Sequence, residues 1–299
     1  MMFRLFVLAL GVSLSLFAQE DARALLASRA LAEIEAIELR SGGVIGVAAL
    51  DLDSGMRLSY HEATVFPQAS VIKIPVLWQL FADVDAGKVD LSRTITMRAA
   101  DAVGGSGLLQ KRLLALGDET IGMTVSELAL LMIRDSDNTA TNQLIALVGM
   151  DRVNALLNEH GFRQTKLQRI MMDGVAAQND RENVSTPDEM VRIVAGLANE
   201  KWLSPASSSE VLRLLGTVKG SVRPALPADA EVASKTGGLP GVYGEAALVR
   251  VGERRYAVSI MSTFVDPTAE NPVGAVAAAV HRVFERLAKS NRYGHRLQP

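Results

Sequence analysis

Three short stretches of this 299-residue chain carry side chains that could do chemistry together. Ser70-Val71-Ile72-Lys73 puts a hydroxyl and an amine three residues apart. Residues at that spacing share a helix face, so the Lys73 amine can approach the Ser70 oxygen. A serine hydroxyl is a poor nucleophile until a nearby base takes its proton. Pro67-Gln68-Ala69 precedes the serine and an apolar helical run follows it. Ser70 then falls in a first turn, where free N–H groups and the helix dipole favour negative charge. Ser136-Asp137-Asn138 lies between two helical segments, and its residue types equally suit a helix cap. Lys235-Thr236-Gly237 ends a strand and runs into Gly238. Two glycines there let a backbone approach a ligand closely. Taken singly, the three read as a capping serine with a solvated lysine, a cap, and a strand entering a turn. Each exact triplet is expected about 0.05 times in a random chain of this length, and the ordered set in about one chain in several hundred.

The surrounding text supplies the elements that must position these residues. Ala22 to Leu39 has apolar residues at helical spacing and stops at Ser41-Gly42-Gly43. Val44 to Leu52 and Met56 to Tyr60 flank Asp53-Ser54-Gly55 as a β-hairpin. Ser70 to Asp85 reads as a helix, and Arg98 to Thr120 as a loop. Within that loop, Gly104-Gly105-Ser106-Gly107 reads as flexible surface; no Gly-Lys-Ser/Thr follows it to make a phosphate cradle. Val125 to Arg134, Thr139 to Val148 and Asp151 to His160 read as three helices. Arg169 to Thr186 is polar and aperiodic, a length that is usually functional or mobile. Thr186-Pro187-Asp188-Glu189 opens another helix, with Thr as cap and Pro first. Ser207 to Leu215 is helical again. Ala230 to Gly237, Tyr243 to Val251 and Arg255 to Phe264 read as strands, and Pro272 to Leu287 as a closing helix. Strands at both ends and helices between them predict an α/β fold of the α+β kind. The expected split is a discontinuous α/β part, 22–66 and 220–290, around an all-helical part, 67–219, that carries Ser-x-x-Lys, Ser-Asp-Asn and the long loop.

Composition narrows the function. The chain has 31 Lys+Arg against 33 Asp+Glu, a net charge of -2, so no basic excess exists to displace phosphate counterions. Nucleic acid is excluded as the main partner on that ground. With no cysteine, disulfides, thiolate metal sites and cysteine nucleophiles are excluded as well. His61, His160, His281 and His295 are scattered without an HxxxH pair, which argues against a zinc hydrolase. Arg4, the apolar run Leu5 to Phe17, Ala18 and then Gln19-Glu20-Asp21 have the layout of a signal peptide over residues 1–18. The run is shorter than the ~20 residues that span a bilayer; an N-terminal anchor is the alternative.

With its three motifs in this order, the chain resembles the class A β-lactamases and the wider penicillin-recognising serine enzymes, for which the trio is characteristic. Ser136 through Asn142, Gly161-Phe162 leading to Met171-Met172-Asp173, Glu182-Asn183 before Thr186-Pro187, and Leu226-Pro227 look like the same family. The resemblance spans about Ala22 to Ala288. It implies a DD-peptidase/β-lactamase-like fold, a five-stranded antiparallel sheet flanked by helices plus an all-helical subdomain, with the site in the cleft between. It also implies roles. Ser70 attacks the β-lactam carbonyl, Lys73 helps take its proton, and Ser136 relays a proton to the leaving nitrogen. Asn138 bonds the substrate's side-chain amide, and Lys235 and Thr236 hold its carboxylate. The N–H groups of Ser70 and Gly238, beside Gly237, form the oxyanion hole, and such a donor is worth ~10²–10³ in rate. Lys235 near Lys73 favours the neutral amine that a base requires.

Two departures qualify the match. The loop from Arg169 to Thr186 lacks the family's Glu-x-x-x-Asn. Asp173 is the stand-in for the deacylation base, with Ala177 four positions on and Glu182 a weaker candidate; Asp173-Gly174 is also a turn dipeptide. A general base is worth ~10²–10⁴-fold, so its loss leaves Ser70 acylated. Nine positions after Lys235, where many class A enzymes carry arginine, stands Gly244. The resemblance implies a serine β-lactamase working through a Ser70 acyl-enzyme. The alternatives are a D-Ala-D-Ala peptidase-like peptidoglycan hydrolase and a slowly deacylating penicillin-binding protein or sensor. The expected partner is a small β-lactam or a peptidoglycan stem peptide, with no nucleic acid, no stable membrane partner, no metal and no organic cofactor. The expected state is a monomer, exported to a bacterial periplasm or secreted.

Overall fold

The apolar runs at the two ends of the chain pair with each other. A computed structural model describes residues 3–291 and 293–297, with side chains from Ala22 onward. The chain runs α1 (Phe3–Ser41), β1 (Val44–Asp51), β2 (Arg57–Tyr60), β3 (Phe66–Pro67), α2 (Lys73–Asp85) and β4 (Thr94–Met97). It continues α3 (Leu109–Ala115), β5 (Ile121–Thr124), α4 (Val125–Arg134), α5 (Asn138–Val148), α6 (Met150–Glu159) and α7 (Gly174–Gln178). The remainder is β6 (Val184–Ser185), α8 (Pro187–Ala198), α9 (Pro205–Leu215), β7 (Glu231–Leu239), β8 (Val242–Val251), β9 (Arg254–Thr263) and α10 (Val273–Ala288). Five strands form one antiparallel sheet in the order β2-β1-β9-β8-β7. β7, which carries the Lys-Thr-Gly stretch, is an edge strand, so one of its sides keeps unpaired backbone groups.

Period-two alternation splits the strands between two apolar clusters. Val47 and Ala49 of β1 face α1 and α10, packing with Ile34, Val276, Val280 and Phe284. Ala48 between them faces the other way, into a cluster with α2, α4, α8 and α9. α2 lies within that second cluster with Ile74, Val76, Leu77, Trp78, Leu80 and Phe81 all buried. A helix apolar on all sides must be surrounded, which is why Lys73 at its start is buried too.

The hairpin, the three C-terminal strands and the central helices follow the expected pattern. The region 98–120 does not: α3 lies inside it, and β4 pairs with β5 across it. Each of those strands is four residues long. That is too short to show alternation, and their pairing is long-range. α3 buries Leu109 and Leu113, one i,i+4 pair, too little for a helical period. α1 begins earlier than the helix expected from Ala22. The expected leader, residues 1–18, lies outside the residues whose side chains are described. Among the described residues no helix is long and apolar enough to cross a membrane.

Trp78 stacks on Trp202 at 4.4 Å, and Phe162 meets both edge-on. Gly196 of α8 backs this group, since a Cβ there would lie 2.1 Å from the Trp202 ring. Gly196→Ala is therefore expected to destabilise the fold by ~1–3 kcal/mol through overpacking. An unchanged denaturation midpoint would show that the ring cluster has room to spare.

Candidate active site

The nucleophile sits on a strained turn. Residues Ala69–Ile72 form a 3₁₀ segment leading into α2. Ala69 has a positive φ of 43°, a left-handed conformation costing ~1–3 kcal/mol in a non-glycine residue. The turn is held from outside, where Gln68 N–H donates to Asn183 O at 2.8 Å. Ser70 itself is half-buried.

The three motifs meet at one oxygen. Lys73 Nζ donates to Ser136 Oγ at 3.1 Å, to Ser136 O at 2.7 Å and to Asn138 Oδ1 at 3.0 Å. From the other side, Lys235 Nζ donates to the same Ser136 Oγ at 3.1 Å and to Thr236 O at 2.9 Å. A hydroxyl has two lone pairs and one proton, so Ser136 can accept from both lysines and still donate. Both lysines are fully buried. Burial, and then the charge on Lys235, push Lys73 well below the usual amine range, while Asp137 pulls it back up. Burial pushes Lys235 down to about 7, against the pull of Glu245. Two cations this close and this dry cannot both persist near neutrality. Of the two, Lys73 is the one pushed down both by burial and by its neighbour's charge.

The Ser136 turn serves as a cap and as a cluster at once. Asp137 caps α5 by accepting from Ala140 N at 2.9 Å and ties α3 by accepting from Leu109 N at 2.9 Å. That leaves Ser136, at φ 53°, and Asn138 to face Lys73. The glycine-rich stretch 104–107 is not the flexible surface its composition suggested. Asn138 Nδ2 donates to Gly104 O at 2.9 Å, and Asn138 N–H to Ser106 O at 3.0 Å. A Cβ on Gly107 would come within 2.0 Å of Asp137 Oδ2. The loop wraps the turn that closely, and tertiary contact overrides its composition.

Strand β7 runs beside the Ser70 turn. A Cβ on Gly237 would lie 2.5 Å from Gln68 O and 3.0 Å from Ser70 N, whereas one on Gly238 would meet only Val242 O, at an ordinary 3.9 Å. Of the two glycines, only the first is demanded by close approach. Gly238 is exposed, and Thr236 is half-buried opposite Glu245.

The long loop does not bring Asp173 into this cluster. Asn142, one turn after Asn138, accepts from Met171 N at 2.8 Å and donates to Met171 O at 3.1 Å. Met171 is buried, and Met172 turns the chain with φ 63° beside Gly105. Asp173 then caps α7, its Oδ1 accepting from Ala176 N at 2.9 Å. Glu182 binds Arg169 through two bonds of 2.9 Å. Among the described residues, neither carboxylate bonds Ser70, Lys73, Ser136 or Asn138. The turn reading of Asp173-Gly174 therefore has the geometry, because the carboxylate is committed to a helix cap. Sequence reasoning missed Asn142 and Glu245. The signals were present: an i,i+4 partner of Asn138, and one charge inside the apolar run Tyr243 to Val249. Among the described residues no cluster of metal-ligating side chains exists.

This architecture has known counterparts. The sequence model of the "Beta-lactamase enzyme family" matches residues 29–284. A β-lactamase from Sphaerobacter thermophilus superposes with a TM-score of 0.78 at 29% identity, over 87% of this chain and 97% of that one. An ancestral class A β-lactamase (GNCA) gives 0.76 at 34% identity, over 87% and 98%. PBP-A gives 0.75 at 28% identity, over 85% and 96%; a mutant of it is known as an acyl-enzyme complex with penicillin-G. The chain belongs to the β-lactamase enzyme family of penicillin-recognising serine proteins.

The contact between Gly237 and the Ser70 turn yields a prediction. Gly237→Ala forces β7 away from Ser70 N, because backbone atoms block the new methyl. Labelling of Ser70 by a fluorescent penicillin is expected to slow by ~10²-fold, the usual effect of a ~1 Å misplacement. Labelling at the parental rate would show that the strand's approach is unnecessary.

Proposed function

We propose that the protein is a class A-type serine β-lactamase in which Ser70 is acylated readily and released slowly. The observation that carries this reading is the Ser136 hydroxyl bonded by both Lys73 and Lys235. Neutral Lys73 takes the Ser70 proton as Oγ adds to the β-lactam carbonyl. The resulting oxyanion is received by the Ser70 and Gly238 N–H groups. When the C–N bond breaks, Ser136 protonates the nitrogen and is reprotonated from Lys73 along the 3.1 Å contact. Charged Lys235, with Thr236, holds the substrate's carboxylate, and Asn138 receives its amide.

Hydrolysis of the ester needs a base for water. No carboxylate among the described residues bonds the cluster, so Lys73, neutral again, is the base that remains there. A missing carboxylate base costs ~10²–10⁴-fold, which makes deacylation the slow step. The likeness to PBP-A favours a second substrate, the D-Ala-D-Ala end of a stem peptide, for the same nucleophile. Export, with residues 1–18 as a leader, and a monomeric state complete the proposal.

Intact-mass spectrometry after mixing with benzylpenicillin tests it. The wild type is expected to gain one penicilloyl adduct that persists through many minutes, and Ser70→Ala none. Rapid regain of the free mass would mean efficient turnover; no adduct, but D-alanine release from a peptide, would favour the second substrate. Asp173→Ala is expected to change adduct loss by less than ~2-fold, since capping rather than catalysis is removed. A slowing of ~10²-fold would restore Asp173 as the base. Acylation by a carboxylate-bearing β-lactam should also fall above pH of about 7, where Lys235 loses its charge. An alkaline limb starting only near 10 would contradict that role.

A further inference from the structure

We propose that Met172 is a specificity-determining residue at the amide end of the site: its thioether stands beside Asn138 and favours acyl donors whose amide carries an apolar, ring-bearing side chain. The inference rests on the readings of Ser70 as the nucleophile and Asn138 as the holder of the substrate's amide. Two segments of the chain meet at this point. A Cβ on Gly105 would lie 2.7 Å from Asn138 Nδ2, 3.1 Å from Met172 Sδ and 3.7 Å from Met172 Cγ. The amide nitrogen and the thioether therefore flank one small notch, which a side chain at position 105 would fill. Asn138 Nδ2 donates one hydrogen to Gly104 O at 2.9 Å, and its Oδ1 accepts from Lys73. The second Nδ2 hydrogen has no acceptor among the described residues, so it is the one a substrate carbonyl can take. The group attached to such a carbonyl comes within reach of the sulfur.

The core does not call for this side chain. Met171 is the buried member of the pair, whereas Met172 is 59% exposed. Every other described methionine is buried or half-buried. Met172 nevertheless holds φ at 63°, a left-handed conformation that long side chains avoid and glycine adopts freely. A large apolar side chain that is neither buried nor relaxed has its use outside the core. The turn that presents it is tied down: Gly174 N donates to Met172 O at 3.0 Å, and Asn142 clamps Met171. Leu108 and Val175, three residues further along the two segments, are apolar and exposed as well. Methionine is unbranched and polarisable, which suits it to lie against an aromatic ring.

Two penicillins separate this role from a structural one. Benzylpenicillin carries a phenylacetyl group on its amide; its acetamido analogue keeps the amide and has hydrogen in place of the ring. Second-order rates of adduct formation, read by intact-mass spectrometry, give the ratio of the two. In Met172→Gly that ratio is expected to fall ~5-fold in favour of the analogue, the size of one thioether–ring contact. Glycine accepts the left-handed backbone, so the variant keeps the fold and its denaturation midpoint should change little. Met172→Leu, which keeps an apolar side chain, should hold the ratio within ~2-fold of the wild type. A merely structural role would lower both rates together and leave the ratio alone. An unmoved ratio in Met172→Gly, or an equal loss in Met172→Leu, overturns the proposal. If the wild type forms an adduct with neither compound, the reading of Ser70 fails and the proposal falls with it. Adducts with both and an unmoved ratio strike the role of Met172 alone.

Discussion

Two lysine amines buried on either side of one serine hydroxyl set the terms for this molecule. In water both would be charged. Sealed beside each other they cannot be, because burial and mutual repulsion act in the same direction on each amine. The fold resolves the conflict asymmetrically. Lys73 enters on the first residue of a helix surrounded by apolar side chains, where burial and the charge on Lys235 both push it down. Lys235 enters on an edge strand with a carboxylate on the neighbouring strand. Two identical side chains thus meet different surroundings on either side of one hydroxyl.

Holding that arrangement requires backbone conformations the residues would not choose. Ala69 and Ser136 both have left-handed φ values. Such strain persists only where the surroundings over-determine it. Around Ala69 the restraint comes from Asn183 and the close passage of β7. Around Ser136 it comes from Asp137, which caps one helix and ties down another. Mobility in either turn would separate the amines from Ser136 and return both to ordinary behaviour.

The long loop has a separate logic. Asn183 accepts from Gln168 N at 2.7 Å and Arg169 N at 3.0 Å, and Asn142 clamps Met171. Its inner part is thus tied down by side-chain bonds to backbone, and the residue clamped against the helix that carries Asn138 is Met171 rather than a carboxylate. The loop's carboxylates are committed elsewhere, Asp173 to a helix cap and Glu182 to Arg169.

Much of the molecule was legible in the residue order. The hairpin around Asp53-Ser54-Gly55, the capped helix at Thr186-Pro187 and the three C-terminal strands declare themselves through period and turn chemistry, which act over a few residues. The motifs at residues 70, 136 and 235 likewise name the chemistry, because a hydroxyl and two amines in those settings have few other uses. Tertiary structure decided what depends on distant partners: the pairing of β4 with β5, the wrapping of residues 104–107 around Asp137, and the conversion of Asp173 from a candidate base into a cap. It also decided the surroundings that push each lysine below the ordinary amine range. A proton's affinity depends on the charges and the water excluded within a few ångströms, and those neighbours are brought together only by the folded chain.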